Sequence, residues 1–261
     1  MNGVFDLGGT DGLGPVDPSD SEPVFRAEWE KTVFAMYPAC VGAGYFGIDQ
    51  FRHGTEKMDP ATYLSSPYYQ HWLHSIEAHV IEIGAIEADE LARRTRHYLD
   101  NPDAPLPEHS QRQELLDFVD IAVSAGASAA RRTSKQPRFT VGDKVRTAHV
   151  SPFGHTRLAR YIRGKQAVVV AHRGSFIYPD SAGNGLGDAP EHVYTIKFTS
   201  EELWGKGFGD PNASVCFDVW DPYVELVDEE NGATAWVQGP QVKKKLPPAS
   251  RRWSRCSSKR G

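Results

Sequence analysis

The stretch Tyr194-Thr-Ile-Lys-Phe198 alternates apolar and polar residues, as a strand with one buried face does. Val215-Cys-Phe-Asp-Val219 repeats the alternation, and the run Ala167-Val-Val-Val170 is typical of a buried strand. A short strand with a turn over residues 139–145 opens this series, and residues 223–227 close it. Short strands joined by Gly-rich turns over about 90 residues predict a small β-barrel in the C-terminal half.

The residues before this region predict helices instead. Five segments have helical apolar spacing or a charged helical composition, and they span 23–37, 59–64, 68–83, 87–98 and 115–125. Pro38, Gly84 and Gly126 are the predicted stops. In the third helix we expect Tyr68, Trp72 and Ile76 on one apolar face, whereas the fourth is expected to face solvent. The chain is therefore predicted to be an α+β protein.

Four regions follow from these patterns. We predict an extended arm over 1–22, a helical domain over 23–130, a barrel domain over 131–228 and a tail over 229–261. The tail is basic and holds few large apolar groups, so its composition predicts disorder.

The charge is unevenly distributed and limits the choice of partners. The formal net charge is −5, yet residues 231–261 hold eight Lys and Arg and no acidic residue, which leaves an acidic body. An acidic body argues against nucleic acid as the main partner. The sequence has no apolar run near the ~20 residues that span a bilayer. Three scattered cysteines without a CxxC pair indicate reduced thiols and a cytoplasmic location.

The Gly-rich start, residues 1–15, has too few apolar residues to bury itself. It lacks the basic start and apolar core of a signal peptide and the Gly-Lys-Ser/Thr of a phosphate loop. We therefore expect either a disordered tail or an arm that lies on another chain.

Two basic stretches are candidate functional sites. In Phe51-Arg-His-Gly-Thr-Glu56, spacing alone favours a surface Arg52 paired with Asp49 or Glu56. The stretch 154–165 carries a basic run, formed by Arg157, Arg160, Arg163 and Lys165. That run fits a solvated loop, a nucleic-acid patch, or an arginine fork aimed at anionic oxygens on a partner.

The third candidate is Tyr68-Tyr-Gln-His-Trp-Leu-His74. His71 and His74 are three apart on a predicted helix, but no third ligand has suitable spacing, so we predict no metal in this chain. Tyr68 and Trp72 are expected to form a pocket or a core wall, with His71 hydrogen-bonded nearby. Because the chain offers no convincing nucleophile and no cofactor loop, an enzymatic function requires a second subunit.

Several ordered stretches resemble the β subunit of nitrile hydratase, in particular its cobalt type. They are Met1–Pro15, Phe51-Arg-His-Gly54, residues 63–72, Gly154-His-Thr-Arg157, residues 160–164, residues 190–195 and residues 202–205. The resemblance implies an SH3-like β-barrel for the C-terminal domain. It also implies a lyase that hydrates a small nitrile to an amide at a cobalt or iron ion held by oxidised cysteines of the α subunit.

The same resemblance assigns roles to residues of this chain. Arg52 and Arg157 would bond the oxygens of the oxidised cysteine ligands, where an Arg forms charge-assisted bonds that a Lys does not reproduce. The substrate pocket would be lined by Tyr37, Ile48, Phe51, Tyr68 and Trp72, and His71 would support Tyr68. The partners would be an α subunit in an αβ heterodimer and an α2β2 tetramer.

Other functions remain open at this point. One is a non-catalytic accessory protein that delivers or matures the α subunit. Chaperone-like relatives of that kind carry only part of the β sequence, whereas both halves are present here. A thiocyanate hydrolase subunit is disfavoured by the unbroken link from Arg131 to Phe139. A free-standing nucleic-acid-binding barrel is disfavoured by the acidic body.

Overall fold

Six α-helices occupy the N-terminal half of the part of the chain that the computed structural model describes, namely residues 2–16, 18, 23–108 and 111–227. They are α1 Glu28–Gly42, α2 Ile48–Glu56, α3 Pro60–Ser65, α4 Tyr68–Glu82, α5 Ala88–Asp100 and α6 Gln113–Ala125. Asp59 caps α3 by accepting from the Thr62 N–H, no side chain of α5 is buried, and Gly126 ends α6. The predictions that α5 faces solvent and that Gly126 ends α6 are confirmed.

The predicted first helix is wrong at both ends. Helix α1 begins at Glu28 rather than near residue 23, and it continues through Pro38 to Gly42. Proline removes one helical hydrogen bond and crowds the preceding turn. Here Pro38 and Cys40 are both buried, so packing beyond the proline compensates for this local cost.

Helix α2 is an element that we did not predict, and it contains the Phe51-Arg52 pair. The apolar face of α4 also differs from the prediction. Its buried residues are Tyr69, Ser75, Ile76 and His79, while Tyr68 is 64% exposed. The face is rotated by about one residue because two polar side chains, Ser75 and His79, point into the core and are satisfied there.

Five antiparallel strands form the C-terminal sheet, in the order β4-β3-β2-β1-β5. Their bounds are β1 Lys144–Thr147, β2 Gln166–Phe176, β3 Glu191–Thr199, β4 Ser214–Trp220 and β5 Val224–Leu226. Short helices α7 Pro179–Ala182 and α8 Ser200–Trp204 follow β2 and β3. The sheet is open in the described residues, because β4 and β5 are its two edges, so the closed barrel is not confirmed.

Two predicted strand bounds shift for local reasons. Strand β1 begins at Lys144 because residues 140–143 form a turn, in which the Thr140 N–H donates to Asp143 Oδ2 across 2.8 Å and Gly142 has a φ of 101°. Tyr223 lies in a 3-10 turn, Asp221–Tyr223, rather than in β5. The remaining strand predictions are confirmed within a few residues, although β2 and β3 are longer than predicted.

Two apolar clusters hold the described chain together. Buried residues of the sheet include Val145, Leu158, Tyr194, Ile196, Phe198 and Val219. Those of the helical half include Val33, Phe46, Phe51, Tyr69 and Ile76. The described helices include none long and apolar enough to cross a membrane. The predicted domain bounds stay a prediction, and the tail over 229–261 lies outside the described residues.

Candidate functional site

An aromatic cluster joins helices α1, α2 and α4. The Tyr37 ring centroid lies 4.6 Å from that of Phe51 and 5.1 Å from that of Trp72, and the Phe51 and Trp72 centroids are 5.2 Å apart. Burial raises the pKa of Tyr37, although the nearby Arg52 charge opposes that shift. The structure therefore brings together three of the five residues predicted to line a substrate pocket.

The other two lie at the edge of this cluster. Tyr68 is 64% exposed, with its ring 5.8 Å from that of Trp72. Ile48 is the first residue of α2 and is 42% exposed. Exposed apolar groups beside a buried aromatic cluster leave a surface that a ligand or a partner chain could cover.

His71 contacts Tyr63 of α3. Its Nε2 donates to the Tyr63 carbonyl oxygen across 2.9 Å, and the two rings stack at 4.4 Å. This contact ties α4 to α3. The predicted support of Tyr68 by His71 stays a prediction.

Arg52 follows Phe51 on α2 but has a more open environment. Its Nη1 donates to Asp49 Oδ1 across 3.0 Å, as the spacing suggested, and the side chain is 45% exposed. This bond uses one of the five N–H groups of the guanidinium. The remaining donors are available to an anionic acceptor on a partner.

A buried histidine connects α2 to the loop that carries Arg157. His155 has no exposed surface, and its Nδ1 donates to Glu56 Oε2 across 2.9 Å. Its Nε2 lies 3.6 Å from Asp49 Oδ1, an ion-pair contact too long for a hydrogen bond. Sequence reasoning missed this contact, although His155 and Glu56 lie in the two stretches that it singled out.

The contact between His155 and Asp49 shifts the pKa of both residues. Burial lowers the pKa of His155, but its contacts with Asp49 and Glu56 outweigh burial and raise the net value. Burial raises the pKa of Asp49, but the contact with His155 and the bond from Arg52 outweigh burial and lower the net value. Both shifts favour the charged forms of His155 and Asp49, so the contact is stronger when the imidazole is protonated.

Arg157 lies in the loop between β1 and the 3-10 turn Arg160–Ile162. Its backbone N–H donates to the Tyr223 hydroxyl across 3.1 Å, and the side chain is half-buried. Within the described residues its guanidinium has no hydrogen-bond or ion-pair partner, unlike the guanidinium of Arg160. Arg157 therefore keeps its full set of donors.

The other arginines of the basic run bind the N-terminal segment of this chain. The Arg160 guanidinium donates to the carbonyls of Gly3 and Asp6, and Arg163 Nη1 donates to Asn2 Oδ1 across 2.7 Å. Asp6 is 2% exposed and accepts from the Arg160 backbone N–H at 2.9 Å. The arginines are thus occupied by contacts within the chain, so the structure gives no support to a nucleic-acid patch.

Two glycines allow this close approach. A Cβ at Gly8 would lie 2.7 Å from the Tyr161 ring, and one at Gly9 would lie 3.0 Å from Trp204. Gly9 also has a φ of 72°, which favours glycine. Residues 2–9 therefore contact the 3-10 turn Arg160–Ile162 and α8 of this chain, and the expectation of an arm that lies on another chain stays a prediction.

No group of three or more His, Cys, Asp or Glu side chains in the described residues could hold a metal ion. Cys40 is buried and Cys216 is exposed, and both are free thiols. The candidate site therefore consists of the aromatic cluster, the two arginines and the histidine contact between their segments.

Comparisons with known proteins match most of the chain. The model of the nitrile hydratase beta subunit N-terminal region matches residues 1–115, and that of its C-terminal region matches residues 128–226. A nitrile hydratase subunit beta from Rhodococcus sp is 60% identical over 235 residues, which cover 90% of this chain and 100% of that protein.

Two further comparisons differ in strength. A cobalt-containing nitrile hydratase subunit beta from Pseudonocardia thermophila is 57% identical over 233 residues, covering 89% of this chain and 100% of that protein. A solved chain of the thiocyanate hydrolase apo-enzyme from Thiobacillus thioparus is 21% identical and covers 48% of this chain and 100% of that chain, with a TM-score of 0.35. At that level the structural likeness supports no inference. The family models and the sequence relatives agree, and the chain belongs to the nitrile hydratase β-subunit family.

Proposed function

We propose that this chain acts with an α subunit to hydrate small nitriles to amides, at a cobalt or iron centre that the α subunit holds. The support is its family and its similarity to cobalt-containing nitrile hydratase β subunits. The partner would hold the metal, and the described residues include no group of three or more His, Cys, Asp or Glu side chains that could hold one. The bound metal would supply Lewis-acid activation of the nitrile or of the attacking water.

One observation carries the proposed role of the arginines. Arg52 and Arg157 are 105 positions apart in sequence, yet the segments that bear them meet at His155, which contacts Asp49 and Glu56. Both guanidinium groups keep donors free for a partner. Arg52 gives only one bond, to Asp49, and the Arg157 guanidinium has no partner among the described residues. Two charged donors on joined segments suit a cluster of anionic oxygens on a partner surface.

The proposed role of the arginines is to bind the oxidised cysteine side chains of the partner and to orient them. Oxidised cysteine side chains present anionic oxygens, and a guanidinium offers planar paired donors that match them. Such bonds would hold the oxidised cysteines in one geometry and shield their oxygens from water, as outer contacts of a metal site commonly do. Arg52 would keep its orientation through Asp49, which is 5% exposed and itself contacts His155.

The aromatic cluster would bind the organic group of the nitrile. Tyr37, Phe51 and Trp72 supply apolar walls, and the exposed Ile48 and Tyr68 would close the pocket once the α subunit covers them. His71 would act by fixing α4 against α3 through Tyr63. The hydroxyl of Tyr68 would be the polar group closest to the reacting atoms.

We further propose an αβ heterodimer that pairs into an α2β2 tetramer in the cytoplasm. Support for a partner surface comes from exposed large apolar residues around the aromatic cluster, namely Phe34, Met36, Ile48 and Tyr68. For the sheet we propose an SH3-like barrel. Strand β2 has register shifts between Val169 and Ala171 and between His172 and Gly174, and such bulges bend a sheet towards closure.

Conservative arginine variants test the proposed site. Arg52→Lys and Arg157→Lys keep the positive charge but lose the planar fork. We expect both to assemble with the α subunit and to lower turnover by about 10²-fold or more, as the loss of one positioned donor does in other sites. Metal content of the purified complex is measured beside turnover.

Arg94→Lys is the matched control, because Arg94 lies on the solvent-facing α5 and pairs with Glu90. This variant should retain turnover. Full activity of the Arg52→Lys or Arg157→Lys complex would refute the role assigned to that arginine.

A further inference from the structure

Three hydrogen bonds meet at the hydroxyl of Tyr223, and a fourth supports one of its partners. The hydroxyl accepts from the Arg157 backbone N–H at 3.1 Å and from Thr156 Oγ1 at 3.2 Å, and it donates to Asp180 Oδ1. The Leu158 N–H in turn donates to Thr156 Oγ1 at 3.3 Å. A tyrosine hydroxyl has one donor and two acceptor positions, so this set uses its full capacity.

The ring that carries this hydroxyl is fixed by packing. Tyr223 is 3% exposed, and its centroid lies 5.7 Å from that of Tyr178 and 6.1 Å from that of Trp220. Burial raises the pKa of Tyr223 well above its usual value, so the hydroxyl keeps its proton and remains a donor to Asp180. The oxygen that receives the Arg157 N–H therefore has little freedom to move.

The loop around Arg157 depends on such side-chain bonds. The neighbouring His155 N–H donates to Asn184 Oδ1 at 3.2 Å, and Asn184 Nδ2 donates to the carbonyls of His155 and Asp180 at 3.2 and 2.7 Å. Residues 155–158 belong to no strand, so these bonds replace a sheet ladder. Asp180 and Asn184 lie in and just after α7, which makes that short helix the support of the loop.

We propose that Tyr223, oriented by Asp180, is a positioning residue for the hydration reaction, because it fixes the backbone from which Arg157 reaches the partner. This inference rests on the proposed function of Arg157. A donor displaced by about 1 Å loses much of its effect on a reacting centre. Tyr223 and Asp180 act through Arg157, and neither touches the substrate.

The chain supplies a closely matched control in Tyr194. Its hydroxyl also accepts a backbone N–H, that of Arg138 at 3.0 Å, and also donates to a buried aspartate, Asp221, at 3.1 Å. Tyr194 is fully buried in β3. Both tyrosines accept a backbone N–H and donate to an aspartate, but only Tyr223 holds the backbone of an arginine of the proposed site.

The test compares Tyr223→Phe and Tyr194→Phe in the complex with the α subunit. Hydrogen exchange over residues 153–159 should accelerate by about tenfold in Tyr223→Phe, because the loss of one hydrogen bond shifts the local opening equilibrium by about a factor of ten. We expect kcat to fall by about tenfold with KM nearly unchanged. Both variants should lower the melting temperature by similar amounts, whereas Tyr194→Phe should leave kcat and KM unchanged.

The double variant Tyr223→Phe/Arg157→Lys shows whether the effect passes through Arg157. In the Arg157→Lys background we expect Tyr223→Phe to lower kcat by less than about twofold, because coupled residues are not additive. An equal fall in both backgrounds would overturn the inference, as would equal kcat values for Tyr223→Phe and Tyr194→Phe. If Arg157→Lys alone retained full turnover, the proposed function of Arg157 would fail first and take this inference with it.

A second pair of variants decides the matter if Tyr223→Phe does not fold. Asp180→Asn keeps an oxygen that accepts from the Tyr223 hydroxyl, whereas Asp180→Ala removes it. We expect Asp180→Asn to restore most of the kcat that Asp180→Ala loses. Equal kcat values for these two variants would contradict the proposal.

Discussion

At the scale of single residues, Phe51 and Arg52 are neighbours on α2 with different surroundings. Phe51 is 6% exposed among the rings of Tyr37, Phe46 and Trp72, whereas Arg52 is 45% exposed and pairs with Asp49. Consecutive residues of a helix point about 100° apart, so one can pack into the core while the next faces outward. The packing of Phe51 in the aromatic cluster therefore fixes the position of Arg52 on the helix surface.

Truncating Phe51 should destabilise the chain. Phe51→Ala removes a buried ring from the aromatic cluster and leaves a cavity, which costs about 3–5 kcal/mol of unfolding free energy. Phe208→Ala is the control, because Phe208 is 70% exposed and should change stability by less than about 0.5 kcal/mol. Urea unfolding of the purified chain measures both, and equal effects would show that the cluster is not a packed core.

The candidate residues could be chosen from sequence only in part. Arg52, Arg157 and the aromatic residues lie in stretches whose family resemblance is visible in the sequence. The bond between His155 and Glu56 spans 99 positions, and that between Arg157 and Tyr223 spans 66. Periodicity reports only on neighbours within a few turns, so it carries no signal for such contacts.

At the scale of elements, residues 2–9 contact the 3-10 turn Arg160–Ile162 and α8. Residues 2–9 are short of apolar groups, which is why composition predicted that they would not pack. They are held instead by polar bonds to Arg160 and Arg163 and by close contact of Gly8 and Gly9 with Tyr161 and Trp204. Composition reports how many apolar residues a segment has, and it does not detect anchoring by polar bonds and close glycine contacts.

The central bond of this segment gives a stability prediction. Asp6→Ala removes the carboxylate that accepts from the Arg160 backbone N–H and pairs with its guanidinium, and it should cost about 1–3 kcal/mol, the lower part of that range reflecting the exposure of Arg160. Asp11→Ala is the control, because Asp11 is exposed. Thermal unfolding compares the two, and a melting temperature unaffected by Asp6→Ala would show that the segment is not anchored as described.

At the scale of the whole described chain, His155 joins the helical half to the sheet half. It contacts Asp49 and Glu56, which both lie on α2, and its ring centroid is 5.8 Å from that of His53. The fold class and most elements could be predicted from periodicity. The open sheet could not, because strand lengths do not report whether the edge strands β4 and β5 pair.

This contact predicts a pH dependence of stability. The pKa of His155 is raised in the folded chain, so its contribution is complete below its unfolded value of about 6.5 and is lost as pH rises through the folded pKa. Burial lowers the pKa of His53, which acts with the opposite sign. Comparing wild type with His155→Asn largely cancels that second effect.

The expected result is a stability difference between wild type and His155→Asn that is larger near about pH 6 than near about pH 9. Urea unfolding across that range measures it, with the slope against urea checked for constancy. A difference that stays constant with pH would mean that folding does not shift the pKa of His155.

The most direct test of the central claim is amide formation from a simple nitrile. This chain is co-expressed with its α partner in cobalt medium and compared with each chain expressed alone. The account predicts a stable complex that contains metal and forms amide, and no turnover by either chain alone. A stable complex without turnover, or full turnover by the partner alone, would contradict it and assign this chain an accessory function.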